Sequence, residues 1–150
     1  MRKRRLYLRP SILLRVASVL TLLYGAGHAS GMPWTPVQGT GEVAVLEAMK
    51  SQRFEIAGVT RTYWDFYYGF GVAIIGYLLV QAVVLWQLAP LAKSETVSLR
   101  PIIGSLCVGF LVNAVVVWKF FFAIPSVLVA AITVTLGFAF FAAGRRLTSP

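Results

Sequence analysis

Residues 66–92 read FYYGFGVAIIGYLLVQAVVLWQLAPLA, twenty-seven positions without one formal charge. A helix needs roughly 20 predominantly apolar residues to cross the ~30 Å hydrocarbon of a bilayer, so this run spans with length to spare. Three further uncharged runs accompany it, residues 16–41, 101–118 and 120–144, with His28 counted as neutral. The whole chain of 150 residues is 58% hydrophobic and only 13% charged, where an ordinary soluble domain carries about 25% charge. A soluble globular enzyme and a disordered chain are both excluded. The expected fold class is all-α: a polytopic membrane protein, a four-transmembrane-helix bundle forming a single integral membrane domain.

Local punctuation sets the expected boundaries at 12–30, 62–89, 101–118 and 125–143, with a long connection at 31–61. Pro33-Trp34-Thr35-Pro36 is too kinked for a helix, Pro90 stops span two, and Pro101 and Pro125 sit where first helical turns accept proline. Residues 42–54 read as a short amphipathic helix, with Val43, Leu46 and Met49 along one side and Glu47, Lys50 and Ser51 on another. Thr40 is a candidate cap for it, without a capping box because Val43 occupies the third position. This helix is expected to lie across the bundle mouth or on the headgroups, and Gly58 closes the region.

The net charge of +9 does not point to nucleic acid, because the positives sit at span ends rather than in a patch with interleaved aromatics. Arg2, Lys3, Arg4, Arg5, Arg9, Lys93, Arg100, Arg145 and Arg146 flank one side of the four spans. Lys50, Arg53, Arg61 and Lys119 flank the other, offset by Glu42, Glu47, Glu55 and Asp65. The positive-inside rule then places both termini in the cytoplasm of a bacterial cell, with the 31–61 connection extracytoplasmic. The basic tail, the apolar run 12–24 and the small-x-small triplet Gly27-His28-Ala29 also have the form of a signal peptide; the expectation is an uncleaved signal anchor. Cys107 is the single cysteine, mid-span, and reads as a small buried apolar residue.

Each span carries small or polar residues at steps of three and four, which keeps them on one helix face. They are Arg15, Ser18, Thr21, Gly25 and His28 in span one, and Asp65, Gly69, Ala73 and Gly76 in span two. Span three has Ser105, Gly109 and Asn113, and span four has Ser126, Ala130, Thr133 and Gly137. Small faces let membrane helices approach closely, so these four stripes are expected to face inward, leaving the large apolar residues to lipid. Arg15 either meets Gln81 near the inner face or snorkels to the headgroups.

Intramembrane polar groups are costly and mark candidate sites. His28 at the outer end of span one, Asp65 at the outer start of span two and Asn113, about 9 Å inward of Lys119, share a depth. Trp64 and Tyr68 add ring faces and a hydroxyl around Asp65. An aromatic wall with one carboxylate and one imidazole suits a cationic or amphipathic small molecule, so His28, Trp64, Asp65, Tyr68 and Asn113 are the candidate ligand-binding residues. The plain structural reading is that Tyr and Trp belong at membrane interfaces, and that Asp65 fastens helix ends through His28, Arg61, Asn113 or a tyrosine hydroxyl. One histidine, no HExxH, no CxxC and no Gly-rich phosphate loop leave no template for metalloprotease, thiol-redox or phosphotransfer chemistry. No cofactor is specified, and no metal site.

The strings Tyr24-Gly25-Ala26-Gly27-His28 and Trp64-Asp65-Phe66-Tyr67-Tyr68-Gly69-Phe70-Gly71 resemble a group of small four-span bacterial membrane proteins that has no assigned activity. In architecture alone the layout is similar to the DoxX-like proteins and to the EXPERA sterol-isomerase and sigma-receptor group. The latter resemblance implies a pocket with acidic residues on several spans, and here Asp65 is the one available. Two functions are expected from these observations. One is a non-enzymatic bundle binding a lipid or small amphipathic molecule in a pocket open to the extracytoplasmic side. The other is an accessory or assembly subunit of a larger membrane complex. The partners are the bilayer, such a lipid or amphiphile, or other membrane subunits.

Overall fold

The uncharged runs fold as helices. The computed structural model describes residues 9–31, 39–95 and 97–144, so the basic tail at 2–5, the Pro33–Pro36 turn and Arg145-Arg146 lie outside the described residues. In chain order the elements are α1 (Pro10–Ser30), α2 (Thr40–Ser51), β1 (Arg53–Ile56), β2 (Val59–Thr62), α3 (Tyr63–Leu91), α4 (Arg100–Phe120) and α5 (Ala123–Gly144). Four of the five helices, α1, α3, α4 and α5, are long and apolar enough to cross a membrane. The protein is an all-α, multi-pass membrane protein. At about 1.5 Å per residue, the 29 residues of α3 reach roughly 43 Å, well beyond the hydrocarbon thickness. Pro90 falls within the last turn of α3, where its missing N–H interrupts little of the helix.

The chain divides into two compact units, one made of residues up to Tyr24 together with those from Leu78 onward, the other of Gly25–Tyr77. In the first unit, a continuous apolar core joins Leu14 and Ala17 of α1, Leu78 and Leu85 of α3, Ile103, Phe110 and Val117 of α4, and Val129, Ile132, Leu136 and Ala139 of α5. The core positions of α4 (Ile103, Phe110, Val117, with Cys107 and Ala114 packed beside them) recur in steps of three and four. That spacing holds one helix face against a neighbour over several turns. Pairings between Gly104 and Phe140 and between Cys107 and Thr133 show α4 and α5 running antiparallel. Ser18 and Ala82, and Arg15 and Trp86, show the same for α1 and α3. Large apolar side chains such as Val108, Val112, Val115, Phe138 and Phe141 stay exposed, as lipid contact requires and water would penalise.

The expected inward stripe holds in part for α1, where Ser18, Thr21 and Gly25 are buried, His28 is half-buried and Arg15 is exposed. Ser18 Oγ donates to the Ala82 carbonyl of α3 at 2.6 Å, whereas Thr21 Oγ1 returns to the Ala17 carbonyl at 2.8 Å within its own helix. On α3 and α4 the expectation is overturned. Gly69, Ala73 and Gly76 are exposed, as are Ser105 and Gly109, and Cβ atoms on Gly69, Gly76 and Gly109 would meet nothing within 4 Å. On α5, Ser126 is buried but Ala130 is exposed. The reason is that a small side chain permits close approach without requiring it; the heptad-spaced Leu, Ile, Val and Phe fill the α4–α5 seam instead. Close approach occurs at Gly104, where a Cβ would stand 3.1 Å from the Phe140 ring. Arg15 makes no hydrogen bond to Gln81 among the described residues. Its guanidinium lies 5.0 Å from the centroid of Trp86, a cation–π contact.

The second unit corrects the reading of residues 42–54. Helix α2 stops at Ser51, because Gln52 turns extended at φ −74°, ψ 111°. Residues Arg53–Ile56 and Val59–Thr62 then form an antiparallel hairpin with Phe54 opposite Arg61 and Ile56 opposite Val59. Its two-residue loop has Ala57 at φ 51° and Gly58 at φ 77°, the doubly positive pattern whose twist matches that of paired strands. Gly58 takes this conformation freely, while Ala57 bears a steric cost because its Cβ crowds the carbonyl. Phe54, Ile56, Val59, Thr60 and Thr62 are aromatic or β-branched residues that favour strand over helix.

Candidate functional site

The hairpin feeds directly into α3, and the junction is built by two residues. Asp65 N–H donates to Thr62 Oγ1 at 3.1 Å, and Thr62 N–H donates to Asp65 Oδ2 at 2.8 Å. This is a reciprocal capping box with aspartate in the glutamate position. Two N–H groups that the helix itself leaves orphaned are satisfied by it. Asp65 therefore finds its partner three residues away, not on His28, Asn113 or a tyrosine hydroxyl as expected. Closing a contact across three residues costs far less chain entropy than recruiting a distant helix. Thr62-Tyr63-Trp64-Asp65 carries the sequence signal for this box, Ser/Thr followed three residues later by an acid.

Around that cap the side chains sort into two groups. Trp64 is half-buried, with Tyr67 and Tyr68 rings at 5.5 and 6.3 Å and the Lys50 ammonium of α2 at 5.6 Å from its ring. Lys50 in turn pairs with Glu47 at 3.6 Å. Phe54 of β1 packs against Tyr63 and Phe66 at 5.1 and 5.4 Å. These contacts tie α2 and the hairpin to the first turns of α3. Phe66 also borders an open groove of about 320 Å³, lined by Arg61, Asp65, Phe66, Gly69, Phe70 and Ala73. Phe66 and Phe70 stand edge to face at 5.9 Å, and Gly69 and Ala73 are the small residues of its lining. The stripe Asp65, Gly69, Ala73 read from the sequence is thus real, but it lines an exposed groove instead of a helix seam.

Of the five candidate residues, Asp65 alone lines this groove. Trp64 and Tyr68 belong to the aromatic group beside it. His28 is half-buried on α1, and its Nε2 is buried without a hydrogen-bond partner among the described residues. Asn113 lies in the other unit, half-buried and near the buried Tyr24. Sequence reading missed Arg61, Phe66, Gly69, Phe70 and Ala73 as one set. Their signal was the four-residue step from 61 through 65 and 69 to 73, doubled by Phe66 and Phe70. Among the described residues no three of His, Cys, Asp and Glu gather to hold a metal ion.

A groove that joins two charged residues to an apolar, small-residue lining, on a helix long and apolar enough to cross a bilayer, can hold a molecule that is itself polar at one end and apolar along its length. The fold and groove together define a multi-pass α-helical membrane protein with an open surface groove. No family, curated protein or solved structure matches the chain.

Proposed function

We propose that the protein is a non-enzymatic membrane protein that holds a lipid or other small amphipathic molecule in the groove between Arg61 and Ala73. In this reading it sits in the bacterial cytoplasmic membrane with both termini in the cytoplasm, and the groove opens on the extracytoplasmic side. The observation that carries the proposal is the make-up of the lining: two charged residues, Arg61 at the end of the hairpin and Asp65 in the first turn of α3, with Phe66, Gly69, Phe70 and Ala73 of the following turns. From Asp65 to Ala73 the helix rises eight residues, about 12 Å, so the groove follows a headgroup with a length of chain beneath it. The capping box fixes the carboxylate, and a fixed charge binds at lower entropic cost than a free one.

A second reading, an accessory subunit of a larger complex, rests on the same exposed Gly69, Ala73 and Gly76, since small residues three and four apart also admit a partner helix. One experiment separates the two. A leucine at position 69 fills the groove, and its Cβ meets nothing within 4 Å, so the fold is left intact. By native mass spectrometry from mild detergent, wild type is expected to retain an amphiphile that Gly69→Leu loses. Loss of a protein partner in place of a small molecule supports the subunit reading. Equal retention by both forms, or none by wild type, contradicts the groove.

A further inference from the structure

We infer that the groove selects a phospholipid whose headgroup carries both a phosphate and a primary ammonium. The inference rests on the groove reading above and adds the identity of the headgroup. Arg61 and Asp65 face the same groove and interact through space, yet they make no ion pair with each other. Arg61 uses one N–H on the Thr60 carbonyl at 3.0 Å, which leaves its other donors available. Asp65 commits Oδ2 to the Thr62 N–H, and its Oδ1 takes no hydrogen bond among the described residues. The groove lining therefore holds a guanidinium and a carboxylate oxygen, each open to a further partner.

A simple anion in this position is drawn by Arg61 and repelled by Asp65; a simple cation meets the reverse. A dipolar headgroup satisfies both at once. Its phosphate takes the planar guanidinium fork, with Arg53 as a second nearby cation whose charge also reaches Asp65. Its ammonium donates to Asp65 Oδ1. That last bond needs an N–H, which a primary ammonium has and a quaternary one lacks. The Phe66 and Phe70 rings offer a quaternary ammonium only the weaker attraction of aromatic faces. Below the headgroup, Gly69 and Ala73 leave the wall low enough for an acyl chain to lie along α3.

The test uses the full chain reconstituted in vesicles of equal parts phosphatidylethanolamine, phosphatidylcholine and phosphatidylglycerol, then extracted gently, with retained lipid counted by native mass spectrometry. Wild type is expected to retain the ethanolamine lipid over each of the others by about two- to fivefold, the range for one exposed charge pair. Asp65→Asn keeps an oxygen for the Thr62 N–H and removes the charge, so the preference over phosphatidylglycerol is expected to vanish while the helix signal in circular dichroism is unchanged. Arg61→Gln is expected to lower retention of all three lipids. Glu47→Gln removes an exposed carboxylate that does not line the groove and is expected to leave the preference in place. Equal retention of ethanolamine and choline lipids, a preference for phosphatidylglycerol, or an unaltered preference in Asp65→Asn overturns the headgroup assignment. If lipid is retained without preference and Gly69→Leu abolishes it, the groove stands and the headgroup inference alone falls. If Gly69→Leu retains as much lipid as wild type, the groove itself falls.

Discussion

Gly104→Leu is expected to lower stability by about 1–2 kcal/mol, while Gly109→Leu on the same helix changes it by no more than about 0.5 kcal/mol. The two glycines are five residues apart and indistinguishable by composition. At Gly104 a Cβ would stand 3.1 Å from the edge of the Phe140 ring. That ring cannot simply retreat, because the Arg100 guanidinium lies 4.4 Å from its centroid. Arg100 is itself closed in by α5, since a Cβ on Gly144 would stand 3.0 Å from Arg100 Cζ. The layers are therefore Gly104 backbone, Phe140 ring, Arg100 guanidinium and the end of α5, where the cation also faces the negative end of the helix dipole. A leucine at 104 displaces the ring and costs the cation–π contact with it. At Gly109 nothing lies within 4 Å of a Cβ, and the leucine projects from the seam. Thermal unfolding in detergent should separate the variants by roughly 2–8 °C. Equal melting temperatures would contradict the α4–α5 packing described here.

The second large effect is all-or-none and concerns orientation. Nine basic residues flank one side of the spans and four the other, and those four are offset by Glu42, Glu47, Glu55 and Asp65. Moving a cluster of cations across the bilayer is the step that the positive-inside rule forbids. A phosphatase reporter that is active only outside the cytoplasm is expected to be inactive when fused after Pro150. Inserted at Gly39, which is exposed and open around its Cα, it is expected to be active. The reverse pattern would invert the protein and place the groove in the cytoplasmic leaflet.

The four long helices were legible because charge, proline and length all act locally. Expected boundaries of 101–118 and 125–143 compare with Arg100–Phe120 and Ala123–Gly144. What escaped the sequence was pairing between elements. The hairpin was hidden because each strand has four residues, its turn is Ala57-Gly58 and not the more diagnostic Asn-Gly, and an apolar spacing before it favoured a longer helix. Asn113 was sought at a ligand site, but which residues neighbour α4 at that level is a tertiary fact, and Asn113 belongs to the other unit. Arg15 was measured against Gln81 by helix rise alone, whereas its long side chain reaches Trp86 more than a turn further along α3. Asp65 shows the opposite failing. Its local partner was readable in Thr62-Tyr63-Trp64-Asp65, and the search for a distant one passed over it. Small-residue stripes were the least reliable guide, because on α3 and α4 the same pattern that allows helix contact lies open.

The central claim is that an amphiphile occupies the groove from Arg61 to Ala73, and the most direct measurement is to trap it there. A phospholipid with a photoactivatable group on its acyl chain, incorporated with the protein into vesicles and irradiated, is expected to label the peptide containing Phe66, Gly69, Phe70 and Ala73 above all others. Gly69→Leu is expected to remove that label selectively. Label spread evenly over the exposed faces of α1, α3, α4 and α5, unchanged by Gly69→Leu, would show ordinary bilayer contact and contradict the claim.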